Sequence, residues 1–293
     1  MSRLANRISA GHFVVTGELT PPKGTDISGL KARAELLADH IDAFNVTDSH
    51  ASKMSLSPMA AAHELTVLGV EPILQMTIRD RNRIALQSDM LGAWLLGVKN
   101  LVCMGGDPPH LGDHPEAKPV FDISTEDLIQ AAGNLNNGKD MMDNLLSGST
   151  GFHIGAVVNP GAEDLDKEIA RLESKVAAGA KFFQTQAIFD ADRFAGFMER
   201  VSHLDIAILA GIMPIKSVKM AAFMNEKIPG IDVPDHVIDR IDGAADTVKE
   251  STAVAAEIIK EIKPICQGIH VMALGWEEHI PGVLQLAGVT REE

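Results

Sequence analysis

Two carboxylates and a set of amides stand out because each follows a short apolar run. Glu18 closes Val14-Val-Thr-Gly-Glu18 ahead of Thr20-Pro21-Pro22, and Asp107 sits in Gly105-Gly-Asp-Pro-Pro109. With them come Thr47, Gln75 with Thr77, Asn159, Gln186, Met213-Pro214 followed by Lys216, and Leu274 to Trp276. A carboxylic acid so placed can give or take a proton. Neutral amides suit a flat heterocycle with donors and acceptors on its edge, and a pterin and an isoalloxazine meet that description equally. The set has no Ser/His/Asp order and no lysine inside a strand end for Schiff-base chemistry. The chain has no tyrosine, so no phenol can serve as the acid. Plainer readings stand beside these: Glu18 as a solvated strand end, Asp107 as a turn former, Asn159 and Gln186 as partners of backbone groups. His110, His114, Asp107 and Asp113 match no familiar ligand spacing, and no metal site is expected.

The apolar runs read as strands at 13–19, 41–47, 71–78, 100–105, 153–159, 181–187, 206–213 and 268–274. Between them lie patterns of helical period, such as Leu30, Ala34, Leu37 and Ile169, Leu172, Val176. Ser124-Thr-Glu-Asp127 has the form of a capping box. The segment 234–264 reads as two helices around Gly243. Eight alternating units in a chain of this length predict one α/β domain, a (β/α)8 TIM barrel over residues 1–293. The competing open doubly wound sheet lacks its G-x-G-x-x-G after the first strand. Barrels of this kind carry their chemistry at the C-terminal ends of the strands, where the polar residues above fall. The segment from Gly105 to Asp122 is long and polar for a strand-to-helix connection, the character of a lid or ligand-binding loop.

Composition narrows the class further. The chain has 293 residues, 45% of them apolar, a mean hydropathy of +0.06 and a net charge of −14. An acidic balance argues against nucleic acid or an anionic membrane as partner. Cys103 and Cys266 alone build no disulfide framework or thiolate cage, and neither a signal peptide nor a membrane-length apolar run is evident. A cytoplasmic protein is expected.

In order along the chain, these motifs resemble the methylenetetrahydrofolate reductase family. The likeness is carried by Val14-Val-Thr-Gly-Glu-Leu-Thr-Pro-Pro22, Phe44-Asn-Val-Thr47, Met104-Gly-Gly-Asp-Pro-Pro109, Lys175-Val-Ala-Ala-Gly-Ala-Lys181 with Phe183-Gln-Thr-Gln186, and Gly211-Ile-Met-Pro214. It runs from about residue 13 to 289. What the resemblance implies is reduction of methylenetetrahydrofolate, or the reverse, through a flavin, with electrons from NADH, NADPH or an electron-donating partner subunit.

By the same resemblance Glu18 is the general acid for a folate nitrogen, its pKa raised by an apolar site. Asp107 lies near flavin and pterin, where its charge favours a cationic intermediate. Thr47, Gln75, Gly106, Asn159, Arg171 and Lys175 are implied as flavin contacts, with Gln186, Met213 and Trp276 on the substrate. Gly105, Asn159 and Ser174 depart from the family's usual Arg, aromatic and basic residues, and Leu274-Gly-Trp276 stands where many relatives have Leu-Asn-Arg. FAD is the implied cofactor, with FMN the alternative. The chain looks closest to the short bacterial form, which implies an oligomer or a heteromeric complex. Two rival functions remain: a flavin barrel acting on another small molecule, and a non-catalytic subunit that binds folate or flavin.

Overall fold

A computed structural model describes residues 2–291. Eight parallel strands close into a barrel in chain order, β1 (Val14–Leu19), β2 (Ala43–Val46), β3 (Pro72–Thr77), β4 (Asn100–Met104), β5 (His153–Val158), β6 (Phe182–Ala187), β7 (Ala207–Ile212) and β8 (Gly268–Val271). β8 pairs with β1 in the register Val14↔Gly268 and Thr16↔His270, which shuts the cylinder. Each strand lies within its expected segment. So do the helices α2 (Ser28–Leu37), α5 (Thr125–Asn136) and α6 (Leu165–Ala178), and α5 opens on the expected Ser124/Asp127 capping box. Residues 234–264 form α9 (Asp235–Asp242) and α10 (Thr247–Ile262), with Gly243 ending the first. The remaining helices are α3 (Pro58–Val67), α4 (Arg83–Leu95), α7 (Ala191–Val201), α8 (Val218–Lys227) and α11 (Ile280–Leu286). No helix among the described residues is long and apolar enough to cross a membrane.

Side chains alternate across each strand, and the two sets do different work. The outward set, including Val15, Phe44, Leu74, Leu101, Ile154, Phe183, Ile208 and Ile269, packs into one core with the helices. The inward set is most apolar toward the N-terminal end, where Val14, Ala43, Ile73, Val102, Phe182 and Leu209 cluster, with Met104 and Val157 packed against them. Gly155 leaves room for the Phe182 ring there: a Cβ at 155 would lie 2.4 Å from it. In the next layer the inward positions of β1, β2, β3, β6 and β8 are polar, with Thr16, Asn45, Gln75, Gln184 and His270 all buried.

The N-terminal end is plugged by a short helix the strand pattern did not signal, α1 (Arg3–Ser9). Its Leu4 and Ile8, one turn apart, enter the inner cluster. Glu71, just ahead of β3, accepts from Arg3 N at 2.8 Å and Leu4 N at 3.0 Å. Near this plug His153 stacks on Phe182, ring centroids 4.7 Å apart, with its Nε2 buried and unpartnered among the described residues.

Burial therefore pushes the His153 imidazole down from 6.5 to about 4, Lys181 adding to that direction and Glu71 opposing it. The unfolded chain takes up this proton near 6.5 and the folded one only near 4, so stability falls as pH drops through that window. The loss is of order 3 kcal/mol at most. His153→Phe keeps the stacking and removes the titration, so its melting temperature should decline less than wild type between these two pH values. Parallel declines would show that His153 is not responsible.

Candidate active site

At the C-terminal ends of the strands lies a cleft of about 620 Å³. Of the residues singled out from the sequence, Glu18, Gln75, Gly106, Asp107, Asn159, Arg171, Lys175 and Gln186 all line it. Thr47, Met213 and Trp276 do not. Thr47 follows β2 directly, and its hydroxyl is buried with no hydrogen-bond partner among the described residues. Met213 packs against the outer core, and Met272 from the end of β8 lines the cleft instead. Trp276 belongs to a separate rim cluster: its ring meets His279 edge-on at 5.4 Å and lies 5.1 Å from Lys216 Nζ.

Glu18 is at the base of the cleft, with its side chain 13% exposed. The expectation of a raised pKa is not met. Burial opposes ionisation, but the attraction of His270, the charge of His50 and the Gln75 amide together outweigh it, and Glu18 is held below the ordinary glutamate value. His270 Nε2 is 3.8 Å from Glu18 Oε2, an ion-pair distance. His270, His50 and Gln184 are lining residues that the sequence reading missed. For His270 and Gln184 a signal existed. Both lie within strands at positions that share the inward parity, His270 two residues after Gly268 and Gln184 two before Gln186. A polar residue at such a position is unusual in a barrel filled by branched apolar side chains.

At the opposite wall Lys175, on α6, donates to Val157 O at 2.8 Å. Burial lowers its pKa, with Glu168 and Glu126 pulling the other way. Arg171, one turn earlier, is 3.9 Å from Glu168. Asn159 is engaged by backbone: its amide donates to Pro229 O and accepts from Gly161 N, both at 3.1 Å. Gln186 stands beside an irregularity in the β6–β7 pairing, and its Oε1 accepts from Ala187 N at 3.2 Å.

The Gly105–Asp122 loop is pinned rather than loose. Gly106 takes φ +87°, and a Cβ there would meet Thr77 at 3.0 Å, so the chain crosses β3 at a point few other residues allow. Asp113 pairs with Lys23 and accepts from Met54 N at 2.9 Å. Ser52 Oγ donates to Asp107 O at 2.5 Å. Arg79, 2% exposed, gathers the rest: it donates to Ser52 Oγ at 2.9 Å, Asp107 O at 3.3 Å and both oxygens of Asp80.

A parallel barrel with a polar cleft at the C-terminal ends of its strands, lined by four carboxylates, amides and a half-buried lysine, defines the class. The sequence profile described as "Methylenetetrahydrofolate reductase" matches residues 3–288. The chain belongs to the methylenetetrahydrofolate reductase family. Methylenetetrahydrofolate reductase 1 of Schizosaccharomyces pombe is 25% identical over 231 residues, covering 76% of this chain and 36% of that protein. The 5,10-methylenetetrahydrofolate reductase of Pectobacterium carotovorum is 23% identical over 264 residues, 87% of this chain and 82% of its relative. The chain thus spans little more than a third of the fungal protein and most of the bacterial one. Among solved structures, a protein from Clostridium thermocellum described as binding two copies of 5-methyl-5,6,7,8-tetrahydrofolic acid superposes with a TM-score of 0.62. It covers 97% of both chains at 17% identity, a likeness of fold.

If Arg79 holds the Asp107 loop in place, Arg79→Met should remove the donor shared by the Asp48, Ser49 and Asp107 carbonyls and the Ser52 hydroxyl, leaving Asp107 O with Ser52 alone. A cost of about 1–3 kcal/mol is expected in urea denaturation, with faster proteolysis inside residues 105–122. Unchanged stability and cleavage would show that the loop holds itself.

Proposed function

We propose that this chain interconverts 5,10-methylenetetrahydrofolate and 5-methyltetrahydrofolate with the help of a flavin. The observation that carries the reading is the meeting of Glu18, Gln75, Asp107 and Gln186 in one cleft of a chain from this family. The 5-methyltetrahydrofolate bound by the Clostridium thermocellum neighbour supports the same ligand class.

The cleft suits a planar cofactor. Its volume is within the usual range for small-molecule sites. Its lining presents the Gln75 amide and the Gly106 backbone to a ring system, and Lys175 and Arg171 to a phosphate, the donor set a flavin nucleotide requires. When bound, the flavin supplies the two-electron chemistry that turns the methylene carbon into a methyl group. FAD is the proposed form, and mass spectrometry of the released flavin separates it from FMN. NADH, NADPH or a partner subunit would supply the electrons.

Glu18 gives its proton to a folate nitrogen, the bond from that nitrogen to the bridging carbon breaks, and a cationic iminium remains. Asp107 places a negative charge in the same cleft, which favours that cation. Gln186 offers its free amide N–H groups to the pterin edge. Because Glu18 is held below the ordinary glutamate value, it is a stronger acid but less often protonated at neutral pH. Its acid form grows as pH falls, so the folate step should accelerate on acidification, by about tenfold per pH unit while the carboxylate predominates.

Glu18→Gln keeps the shape and cannot give the proton. In stopped-flow measurements, flavin reduction by the electron donor should survive, while the folate step falls by about 10²–10⁴-fold. Equal loss in both half-reactions, or none in the folate step, would remove Glu18 from this role.

A further inference from the structure

Glu18 has a buried partner that the scheme above does not use. His270 is 4% exposed, and its two ring nitrogens face different surroundings. Nδ1 lies 3.1 Å from the Thr16 hydroxyl and 3.1 Å from Asn45 Nδ2. Thr16 is itself tied to Ile269 O at 3.3 Å and accepts from Gln184 Nε2 at 3.4 Å. An amide N–H2 can only donate, so with Asn45 in this orientation Nδ1 is the acceptor, the single Thr16 hydroxyl hydrogen goes either to Nδ1 or to Ile269 O, and the imidazole proton sits on Nε2. That is the nitrogen facing Glu18. The orientation follows from the network, and a half-turn of the Asn45 amide would offer Oδ1 to Nδ1 instead. Asn45 Oδ1 is buried and without a partner in the present arrangement, so either orientation is chemically open to it. Asn45 can therefore serve a neutral imidazole as donor or a protonated one as acceptor.

The proposed proton transfer converts Glu18 from a neutral acid to an anion in a place where burial disfavours charge. Something must stabilise that anion. We propose that His270 is a positioning residue acting through Glu18: its Nε2–H aims the carboxylate at the cleft and stabilises the charge left when the proton departs. Closing the 3.8 Å gap to hydrogen-bond length needs a movement of about 0.8 Å. The titratable groups that act on Glu18 are His270 from β8 and His50 from the loop after β2. His50 is exposed, so solvent and salt weaken its share. Gln75, Thr16, Asn45 and Gln184, from β3, β1, β2 and β6, are neutral. His270 is left as the one buried titratable partner among the groups acting on Glu18.

The inference rests on Glu18 as the acid, and its test is chosen to work without turnover. The carboxyl of Glu18 is followed by ¹³C NMR during a pH titration of the whole chain, with Glu18→Gln assigning the signal. In His270→Leu, only exposed His50 and the Gln75 amide are left to oppose burial, so the Glu18 midpoint should move to higher pH. His270→Gln, which keeps a donor in nearly the same volume, should lie between that variant and wild type. Where the folate step is measurable, its pH profile should move in the same sense, while flavin reduction by the donor stays within about twofold. A Glu18 midpoint unchanged in both His270 variants, with circular dichroism reporting an intact fold, would overturn the proposal. A shifted midpoint in a chain that never reacts with folate would leave the His270–Glu18 coupling standing and remove only the function.

Discussion

The structure turns on a carboxylate buried at the upper end of a barrel. Parallel strands in a closed cylinder have one face toward the helices and one toward the axis, and the axis has no room for water around an isolated charge. Glu18 occupies that axis on β1. Its pKa is held down by His270, His50 and Gln75 against the effect of burial, and His270 sits in a polar layer in which Thr16, Asn45 and Gln184 replace the branched apolar side chains that usually fill a barrel. Each of these residues has a partner, so the layer is a network rather than a set of isolated polar atoms, with Asn45 Oδ1 left unpartnered in it. Below it, Val14, Ile73, Val102, Phe182 and Leu209 seal the axis, and α1 closes the end. The barrel is therefore zoned along its axis, with the apolar zone providing cohesion and the polar zone chemistry.

The rim follows a second rule, that backbone strain is kept where side chains hold it. Ser49, Ala51 and Ser52 all take positive φ, a conformation that non-glycine residues adopt at a cost. They lie between β2 and α3, under the loop that carries Asp107. Asp48 anchors one side by accepting from the Thr77 N–H and hydroxyl and pairing with Arg81. Arg79 anchors the other. The contact is close enough that a Cβ on Gly112 would run into the Ser52 carbonyl. The result places the backbone of Asp107 firmly while leaving its carboxylate exposed to the cleft.

Much of this could be read from the chain, for an identifiable reason. Strands buried on both faces are short apolar runs, and all eight were recognisable as such. Residues just past those runs had to lie on the functional face, which is why Glu18, Gln75, Asp107 and Gln186 were within reach. His270 and Gln184 were not, because attention to strand ends ignores the alternation inside a strand. The direction of the Glu18 shift was misjudged for the same reason: an apolar pocket raises a carboxyl, and the imidazole that reverses it was unseen. α1 escaped notice because its two core residues, Leu4 and Ile8, are too few to make a periodic pattern. Met213 and Trp276 were assigned by likeness of motif alone, and the folding of the β7 and β8 exits sends them to the outer core and the rim. Asn159 reaches the cleft, yet the Pro229 and Gly161 backbone engages its amide, as the plainer reading of it held.

A cleft that joins a flavin to a folate above Glu18 should reveal itself in the flavin spectrum. The most direct measurement is an anaerobic titration of the purified chain, incubated first with FAD and separately with FMN, with 5-methyltetrahydrofolate. The account expects one flavin to be retained and its visible absorbance to bleach as the folate is added. A chain that retains neither flavin, or one whose bound flavin keeps its spectrum at saturating folate, would contradict it.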